Sequence, residues 1–113
     1  MSSYDVFEGV VSRLNSSEKL KQELRQFSGK SFQFKPNSGQ EYYVNFKDDG
    51  SAELLKGTGQ RQDAVISADD GILSDVMTGK ADAVRAFLMG KLKVSGDLFL
   101  SQKLVSVVKK ATQ

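Results

Sequence analysis

The spacing of apolar residues changes its period along the chain, and this change fixes the elements that can form. Apolar residues recur three and four positions apart over residues 6–27, and they alternate with polar residues over residues 32–66. The first spacing is typical of amphipathic helices and the second of strands with one buried face. Turn residues at 36–39 and 48–50 separate three strands, and a glycine-rich loop at 56–60 precedes the fourth. We therefore predict two helices followed by an antiparallel meander of four strands.

Short polar residues mark where further helices begin. Asn15, with Glu18 three positions on, predicts a capping box for the second helix. Ser67, with Asp70 three positions on, predicts another for the third helix. Asp82 is a capping residue for a fourth helix, whose Val84, Phe87 and Leu88 we expect to face inward.

Glycines divide the last third of the chain into helix, strand and helix. Gly79 and Gly90 stop the third and fourth helices, and apolar residues alternate with lysines at 91–94. Gly96 ends that strand before a strongly apolar last helix. The element order is ααββββααβα, which indicates an α+β fold with a five-stranded, largely antiparallel sheet covered on one face by helices. The length of the chain, residues 1–113, indicates a single domain.

The residue types that are missing restrict the chemistry of the chain. It contains no histidine and no cysteine, so it lacks the commonest general base, the usual transition-metal ligand and any thiolate. The adjacent carboxylates at 48–49 and 69–70 fall in a turn and at a helix start, not across a cleft from each other. We therefore predict no catalytic residue, no metal site and no cofactor.

Charge and hydropathy favour a soluble protein, which we expect to be an intracellular monomer. The net charge is +2, and the 16 Lys and Arg residues are spread along the chain, whereas nucleic-acid-binding proteins cluster theirs. No apolar run approaches the roughly 20 residues of a membrane span. Residues 1–5 carry no secretory signal.

The last helix carries an apolar face wide enough to cover a sheet. At helical spacing these residues fall within an arc of about 180°; they are Leu98, Leu100, Leu104, Val105, Val107, Val108 and Ala111. Such a face is either plain core or the roof of a lipid cavity.

Four side chains leave two interpretations open. Ser101 lies inside the apolar arc, and its hydroxyl either meets a ligand head group or, as we favour, bonds the carbonyl four residues back. Phe99 projects from the polar side, and we expect it to pack on a neighbouring helix rather than form an exposed door. Tyr42 and Tyr43 point to opposite faces of a strand, and the pattern does not choose which is buried.

Motifs in the second half of the chain resemble the sterol carrier protein 2 family. Residues 63–67 are similar to a strand end of that family, and residues 79–96 to its pattern G-K…A-F…G-K-hydrophobic-K-hydrophobic-x-G. Residues 100–104 resemble its ending L-x-x-K-L. The predicted element order matches the family as well. Ala83 departs from the family, which usually has proline there.

This resemblance implies a non-catalytic carrier that holds fatty acids, acyl-CoA, sterols or phospholipids in an apolar tunnel between sheet and helices. Gln102 is the implied polar contact at the tunnel mouth. The implied lipid contacts together are Phe34, Val44, Phe46, Ile72, Val76, Phe87, Leu88, Leu92, Val94, Leu100, Gln102, Leu104, Val105 and Val108. The family is often peroxisomal, but residues 110–113 do not form a Ser-Lys-Leu-like signal. Cytoplasm and peroxisome therefore both stay open.

Other functions fit parts of the same pattern. An interaction or regulatory module would use the apolar groove for a partner's helix. An enzyme of lipid metabolism would need a catalytic group that the sequence does not offer. Six lysines are either solvated surface or a basic rim for acyl-CoA phosphates or for transient contact with an anionic membrane; they are Lys80, Lys91, Lys93, Lys103, Lys109 and Lys110. No contact with nucleic acid is expected.

Overall fold

A computed structural model describes residues 1–112 and confirms the predicted order of helices and strands. The helices are α1 (Ser3–Ser16), α2 (Glu18–Leu24), α3 (Asp70–Met77), α4 (Ala83–Leu88) and α5 (Leu98–Ala111). The strands are β1 (Ser31–Pro36), β2 (Tyr42–Phe46), β3 (Ala52–Lys56), β4 (Ala64–Ala68) and β5 (Leu92–Gly96). A 3-10 turn, Arg25–Phe27, follows α2.

The five strands form one mixed sheet in the order β3-β2-β1-β4-β5. All neighbours are antiparallel except β1 and β4, which are parallel with Phe34 opposite Ile66. The predicted meander is therefore wrong at its last step, because β4 pairs with β1 and not with β3. The largely antiparallel α+β sheet with helices on one face is confirmed.

A buried glutamine holds the loop that makes this crossover. The Gln33 amide donates to the carbonyls of Tyr42 and Gly57 at 3.1 and 3.0 Å, and its oxygen accepts from the Gly59 N–H at 2.9 Å. Gly59 passes directly over the Tyr43 ring, where a Cβ would lie 2.9 Å from a ring carbon. The loop therefore crosses the outer face of the sheet, close against β1 and β2.

The core lies between the inner face of the sheet and the helices, and its centre is aromatic. Phe34 and Tyr42 stack with ring centroids 5.1 Å apart, and Tyr42 is fully buried whereas Tyr43 lies on the outer face. We call the buried rings of this region the aromatic cluster; its members are Phe7, Phe27, Phe32, Phe34, Tyr42 and Phe46.

A chain of hydrogen bonds ties the start of α1 to the start of α3. The Tyr42 hydroxyl donates to Ser3 Oγ at 2.9 Å, and Ser3 Oγ donates to the Asp70 carboxylate at 2.6 Å. Burial raises the pKa of Tyr42 well above its ordinary value, and the hydrogen bond with Ser3 opposes this only in part. The tyrosine is therefore neutral in the folded protein.

Two of the predicted helix starts differ in the structure. Ser17 caps α2, accepting from the Leu20 N–H at 3.2 Å, while Asn15 stays inside α1. Ser67 is paired within β4, so Asp69 precedes α3 in its place. In both cases a tertiary contact takes the residue that local spacing had selected as a cap.

Candidate functional site

An apolar cavity of about 480 Å³ lies between the sheet and helices α3, α4 and α5. This volume falls within the range of about 300 to 1,000 Å³ that is usual for small-molecule sites. The cavity is lined by Phe7, Phe34, Ile66, Leu73, Val76, Met77, Asp82, Ala83, Val84, Phe87, Leu88, Leu92, Val94, Leu98, Ser101, Gln102, Leu104, Val105, Ser106, Val108 and Lys109.

The floor of the cavity follows from the strand register. Phe34 of β1 lies opposite Ile66 of β4, which in turn lies opposite Val94 of β5. Residues paired in this way point to the same face of the sheet. Three neighbouring strands thus present one continuous apolar surface to the helices.

The roof is formed by α5, which begins where Asp97 accepts the Leu100 N–H at 2.9 Å. Leu104 and Val108 are buried and Val105 is half-buried, and all three face the cavity. Gly96 has a φ of 85° and lies against the Asp63 carbonyl, with no room for a Cβ. The glycine therefore allows α5 to fold back over the sheet directly after β5.

The mouth of the cavity consists of apolar side chains that face solvent. Val84, Phe87, Leu88 and Leu98 line the cavity although they are 51, 39, 77 and 50% exposed. The expectation that α4 turns Val84, Phe87 and Leu88 into the core is wrong, since Ala86 is the buried residue of this six-residue helix. The cavity occupies the space that a longer or closer helix would fill.

Three polar side chains form a stripe along the roof. Gln102, Ser106 and Lys109 line the cavity and are spaced four and three positions apart, which places them on one side of α5. Within residues 1–112 none of their side chains makes a hydrogen bond or an ion pair under the usual distance limits. They are therefore available to a ligand.

The other two polar groups of the lining are already engaged. The Asp82 carboxylate caps α4, accepting from the N–H groups of Val84 and Arg85. The Ser101 hydroxyl donates to the Asp97 carbonyl at 2.9 Å, as the favoured interpretation of the sequence expected. The Ser101 hydroxyl and one carboxylate oxygen of Asp82 thus already have protein partners.

The structure brings together ten of the fourteen residues that the resemblance implied as lipid contacts: Phe34, Val76, Phe87, Leu88, Leu92, Val94, Gln102, Leu104, Val105 and Val108. The other four do not line the cavity. Val44 and Phe46 lie in the core on the far side of β1, and Ile72 and Leu100 pack against its edge. Strand alternation for Val44 and Phe46 and helical spacing for Ile72 and Leu100 marked them as inward-facing, but the core is not hollow everywhere.

Sequence reasoning missed several other members of the lining. Phe7, Ile66, Leu73 and Met77 carry only an apolar periodicity, and tertiary proximity alone sets them beside the cavity. Lys109 could have been predicted as a lining residue, because it lies on the same face of the helix as Gln102.

Phe99 is 66% exposed, so the expectation that it packs on a neighbouring helix is wrong. The Lys103 ammonium lies 4.6 Å from the centroid of its ring. Residues 1–112 contain no group of His, Cys, Asp or Glu that could hold a metal. No helix in the same range is long and apolar enough to cross a membrane.

The amino-acid sequence of the chain is similar to that of a known protein family. A sequence model described as the SCP-2 sterol transfer family matches residues 7–109. Sterol carrier protein 2 of Bos taurus is 32% identical over 110 residues, which cover 91% of this chain and 20% of that protein. The chain thus spans a fifth of the length of this relative.

Solved structures share the fold. A structure titled UbiJ-SCP2 ubiquinone synthesis protein has a TM-score of 0.74 at 19% identity, covering 88% of this chain and 82% of that one. Palmitated SCP2L2 from Aedes aegypti has a TM-score of 0.65 at 19% identity, covering 96% of this chain and 95% of that one. Together with the family match over most of its length, these findings show that the chain belongs to the SCP-2 sterol transfer family.

Proposed function

We propose that the protein binds a lipid with a long hydrocarbon chain, a fatty acid or its coenzyme A ester, and carries it without catalysis. The observation that supports this most directly is the apolar cavity between sheet and helices, which opens to solvent through apolar side chains. Sterols fit the same chemistry and form a second class of cargo. Cytoplasm or peroxisome as the place of action stays a prediction from the sequence.

Burial of the hydrocarbon chain is sufficient to drive binding. Each methylene that leaves water contributes about 0.8 kcal/mol, so a long acyl chain gains about 10 kcal/mol before the costs of association. Micromolar affinity requires about 8 kcal/mol. The cavity therefore needs no charged clamp, which suits a carrier that accepts several lipids.

The polar stripe on α5 is suited to the head group. Lys109 is the one basic side chain of the lining, and it is half-buried. A carboxylate or phosphate beside it would gain a charge-assisted hydrogen bond, with Gln102 and Ser106 as neutral donors nearby. We propose that the hydrocarbon lies over the floor of the sheet while the head group lies along this stripe.

The names of two related proteins support the same class of ligand. The Aedes aegypti protein is described as palmitated, and the bovine relative as a sterol carrier protein. For this chain, the proposed kind of lipid rests on the cavity, and the proposed absence of catalysis rests on the lack of histidine and cysteine in the sequence.

A matched pair of substitutions tests the proposal. Val105→Phe fills the roof of the cavity, whereas Val65→Phe makes the same change on the outer face of the sheet. We expect a fluorescent fatty acid to bind the unmodified protein at micromolar concentration, to lose at least about tenfold in affinity with Val105→Phe, and to keep it with Val65→Phe. Native mass spectrometry should show one lipid for each chain.

Two results would contradict the proposal. If neither method detects a fatty acid, an acyl-CoA or a sterol at tens of micromolar, about tenfold above the expected dissociation constant, the cavity is not a lipid site and a partner's helix becomes its occupant. Steady hydrolysis of acyl-CoA by the purified chain, in proportion to protein concentration, would show that the protein is an enzyme.

A further inference from the structure

Nearly all of the large apolar side chains that the structure exposes are collected around the cavity mouth. Of the seven such residues in the described part of the chain, Met1 is the exception. We call the other six the mouth patch: Val84, Phe87, Leu88, Met89, Leu98 and Phe99. Four of them line one cavity, and Met89 and Phe99 directly follow two of those four. A contiguous exposed patch of this kind marks an interaction surface.

The same region carries the excess of positive over negative charge in the protein. Residues 78–113 contain seven Lys or Arg and two Asp, a formal charge of +5, whereas residues 1–77 contain nine basic and twelve acidic residues, a charge of −3. The net charge of +2 therefore conceals two regions of opposite sign. The helices and the strand of the positive region, α4, β5 and α5, are the ones that surround the mouth.

The positive side chains near the patch are exposed and not neutralised. Arg85 lies one helical turn from Leu88, and Lys91 follows α4. Neither forms an ion pair with any residue in 1–112. The two acidic residues of the region, Asp82 and Asp97, are turned to the starts of α4 and α5, where they accept backbone N–H groups.

We propose that the mouth patch docks onto a membrane surface that contains anionic phospholipids. Apolar side chains surrounded by exposed Lys and Arg match the two layers of such a surface, since the former enter the acyl boundary and the latter meet the head groups. A second copy of the chain is a poorer partner, because a symmetric contact would bring the same excess of positive charge against itself. The docking is peripheral, since no helix in residues 1–112 could span the bilayer.

This inference rests on the proposed function and deepens it. The cavity opens through Val84, Phe87, Leu88 and Leu98, which belong to the mouth patch. A protein docked in this way would have its mouth against the bilayer, so a lipid could pass between membrane and cavity without crossing water. Met89 and Phe99 of the patch and the neighbouring Arg85 and Lys91 do not line the cavity, so docking can be measured separately from cargo binding.

Co-sedimentation with vesicles tests the proposal. We expect the protein to bind phosphatidylcholine vesicles containing about 30% phosphatidylserine and to be released by high salt, and to bind pure phosphatidylcholine at least about tenfold more weakly. Met89→Ser with Phe99→Ser removes apolar residues that do not line the cavity, and Arg85→Glu with Lys91→Glu reverses the charge. Each pair should weaken vesicle binding about tenfold or more. Binding of a fluorescent fatty acid in solution should stay unchanged.

The control pair is Lys19→Glu with Lys47→Glu, which makes the same charge change on exposed residues of the other region. We expect this pair to keep most of the vesicle binding. Equal losses for the two charge-reversed pairs would overturn the proposal, because they would show a response to net charge alone. So would a dimer of the unmodified protein that Met89→Ser with Phe99→Ser dissociates, because a second copy would then cover the patch.

The test also separates this inference from the proposed function. A protein that binds fatty acid but no anionic vesicle overturns the docking surface and leaves the carrier intact. Vesicle binding that depends on the mouth patch, without any fatty acid binding, supports the docking surface and refutes the carrier.

Discussion

Asn15 of α1 and Ala52 of β3 are joined by a pair of hydrogen bonds. The Asn15 amide donates to the Ala52 carbonyl at 2.8 Å, and its oxygen accepts the Ala52 N–H at 2.7 Å. The side chain thus provides hydrogen-bond partners for the backbone N–H and carbonyl of Ala52. Ala52 begins the edge strand β3, which has no neighbouring strand on that side. It also fixes α1 against the sheet, which supports the helices that cover it.

Removal of this amide should destabilise the protein. We expect Asn15→Ala to lower the free energy of unfolding by about 2 kcal/mol, because two partly buried backbone groups lose their partners. Urea unfolding followed by circular dichroism measures the change. Asn37→Ala is the control, since Asn37 is exposed and its side-chain amide donates to the surface residue Asp69. Equal losses in the two variants would contradict this role for Asn15.

The buried amide of Gln33 should matter more. Gln33→Leu leaves the carbonyls of Tyr42 and Gly57 and the N–H of Gly59 without their hydrogen bonds at a fully buried position. We expect a loss of about 3 kcal/mol in the free energy of unfolding. The exposed Gln60 in the same loop provides a control, and Gln60→Leu should change stability by less than about 0.5 kcal/mol. A loss with Gln33→Leu no larger than that of the control would refute the crossover role.

The stability of the protein should fall in acid partly through Asp63. Partial burial raises the pKa of this carboxyl, but hydrogen bonds from Arg61 and the Ser31 N–H outweigh it and hold the pKa below its ordinary value. A depressed folded-state pKa means that the carboxylate contributes stability above the unfolded pKa of about 4, and loses it as the pH falls through the folded value. We therefore expect Asp63→Asn to cost about 1 kcal/mol at pH 7.

The difference between the unmodified protein and Asp63→Asn should shrink as the pH falls below about 4, where the unfolded carboxyl takes up a proton first, and disappear below the lower pKa of the folded state. Urea unfolding at several pH values measures it. Asp48→Asn removes the same charge from an exposed turn and is the control at pH 7. A difference that stays constant down to about pH 3 would show that the Asp63 charge is not the cause.

Lys109 should distinguish lipids by their head groups. We expect Lys109→Ala to weaken binding of a fatty acid by about fivefold, through loss of a partly exposed charge-assisted contact, and to leave a fatty alcohol of equal length unaffected. Competition with a fluorescent lipid gives both values. Lys110→Ala is the control, because Lys110 is paired with Glu23 at 2.8 Å and does not line the cavity. Equal effects on acid and alcohol would remove Lys109 from the head-group site.

The sequence predicted elements whose signal is local. Apolar spacing, capping residues and glycine stops together predicted the order of helices and strands, and Asp82 caps α4 as expected. Ser67 does not cap α3, because its pairing within β4 outweighs a local hydrogen bond. The spacing of residues along the chain does not indicate this pairing. The same holds for the parallel pairing of β1 with β4, which depends on a loop held by the buried Gln33.

The candidate site could likewise be predicted only in part from the sequence. Alternation and helical spacing identified most of the cavity walls, because walls and core are built from the same residue types. They could not tell Val94, beside the cavity, from Val44, which lies in filled core. Leu88 was predicted to face inward but is exposed. A sequence pattern shows which residues are apolar, but not how far each lies from the nearest packed layer.

The aromatic cluster has a consequence for how the cavity can vary. Of its six rings, only Phe7 and Phe34 border the cavity, and the other walls are mainly aliphatic side chains of β4, β5, α3, α4 and α5. Substitutions among these aliphatic residues reshape the space for cargo and leave most of the ring contacts untouched. The rings that pack the core are thus largely separate from the aliphatic walls of the proposed lipid site, so the shape of that site can change without disturbing most of the aromatic packing.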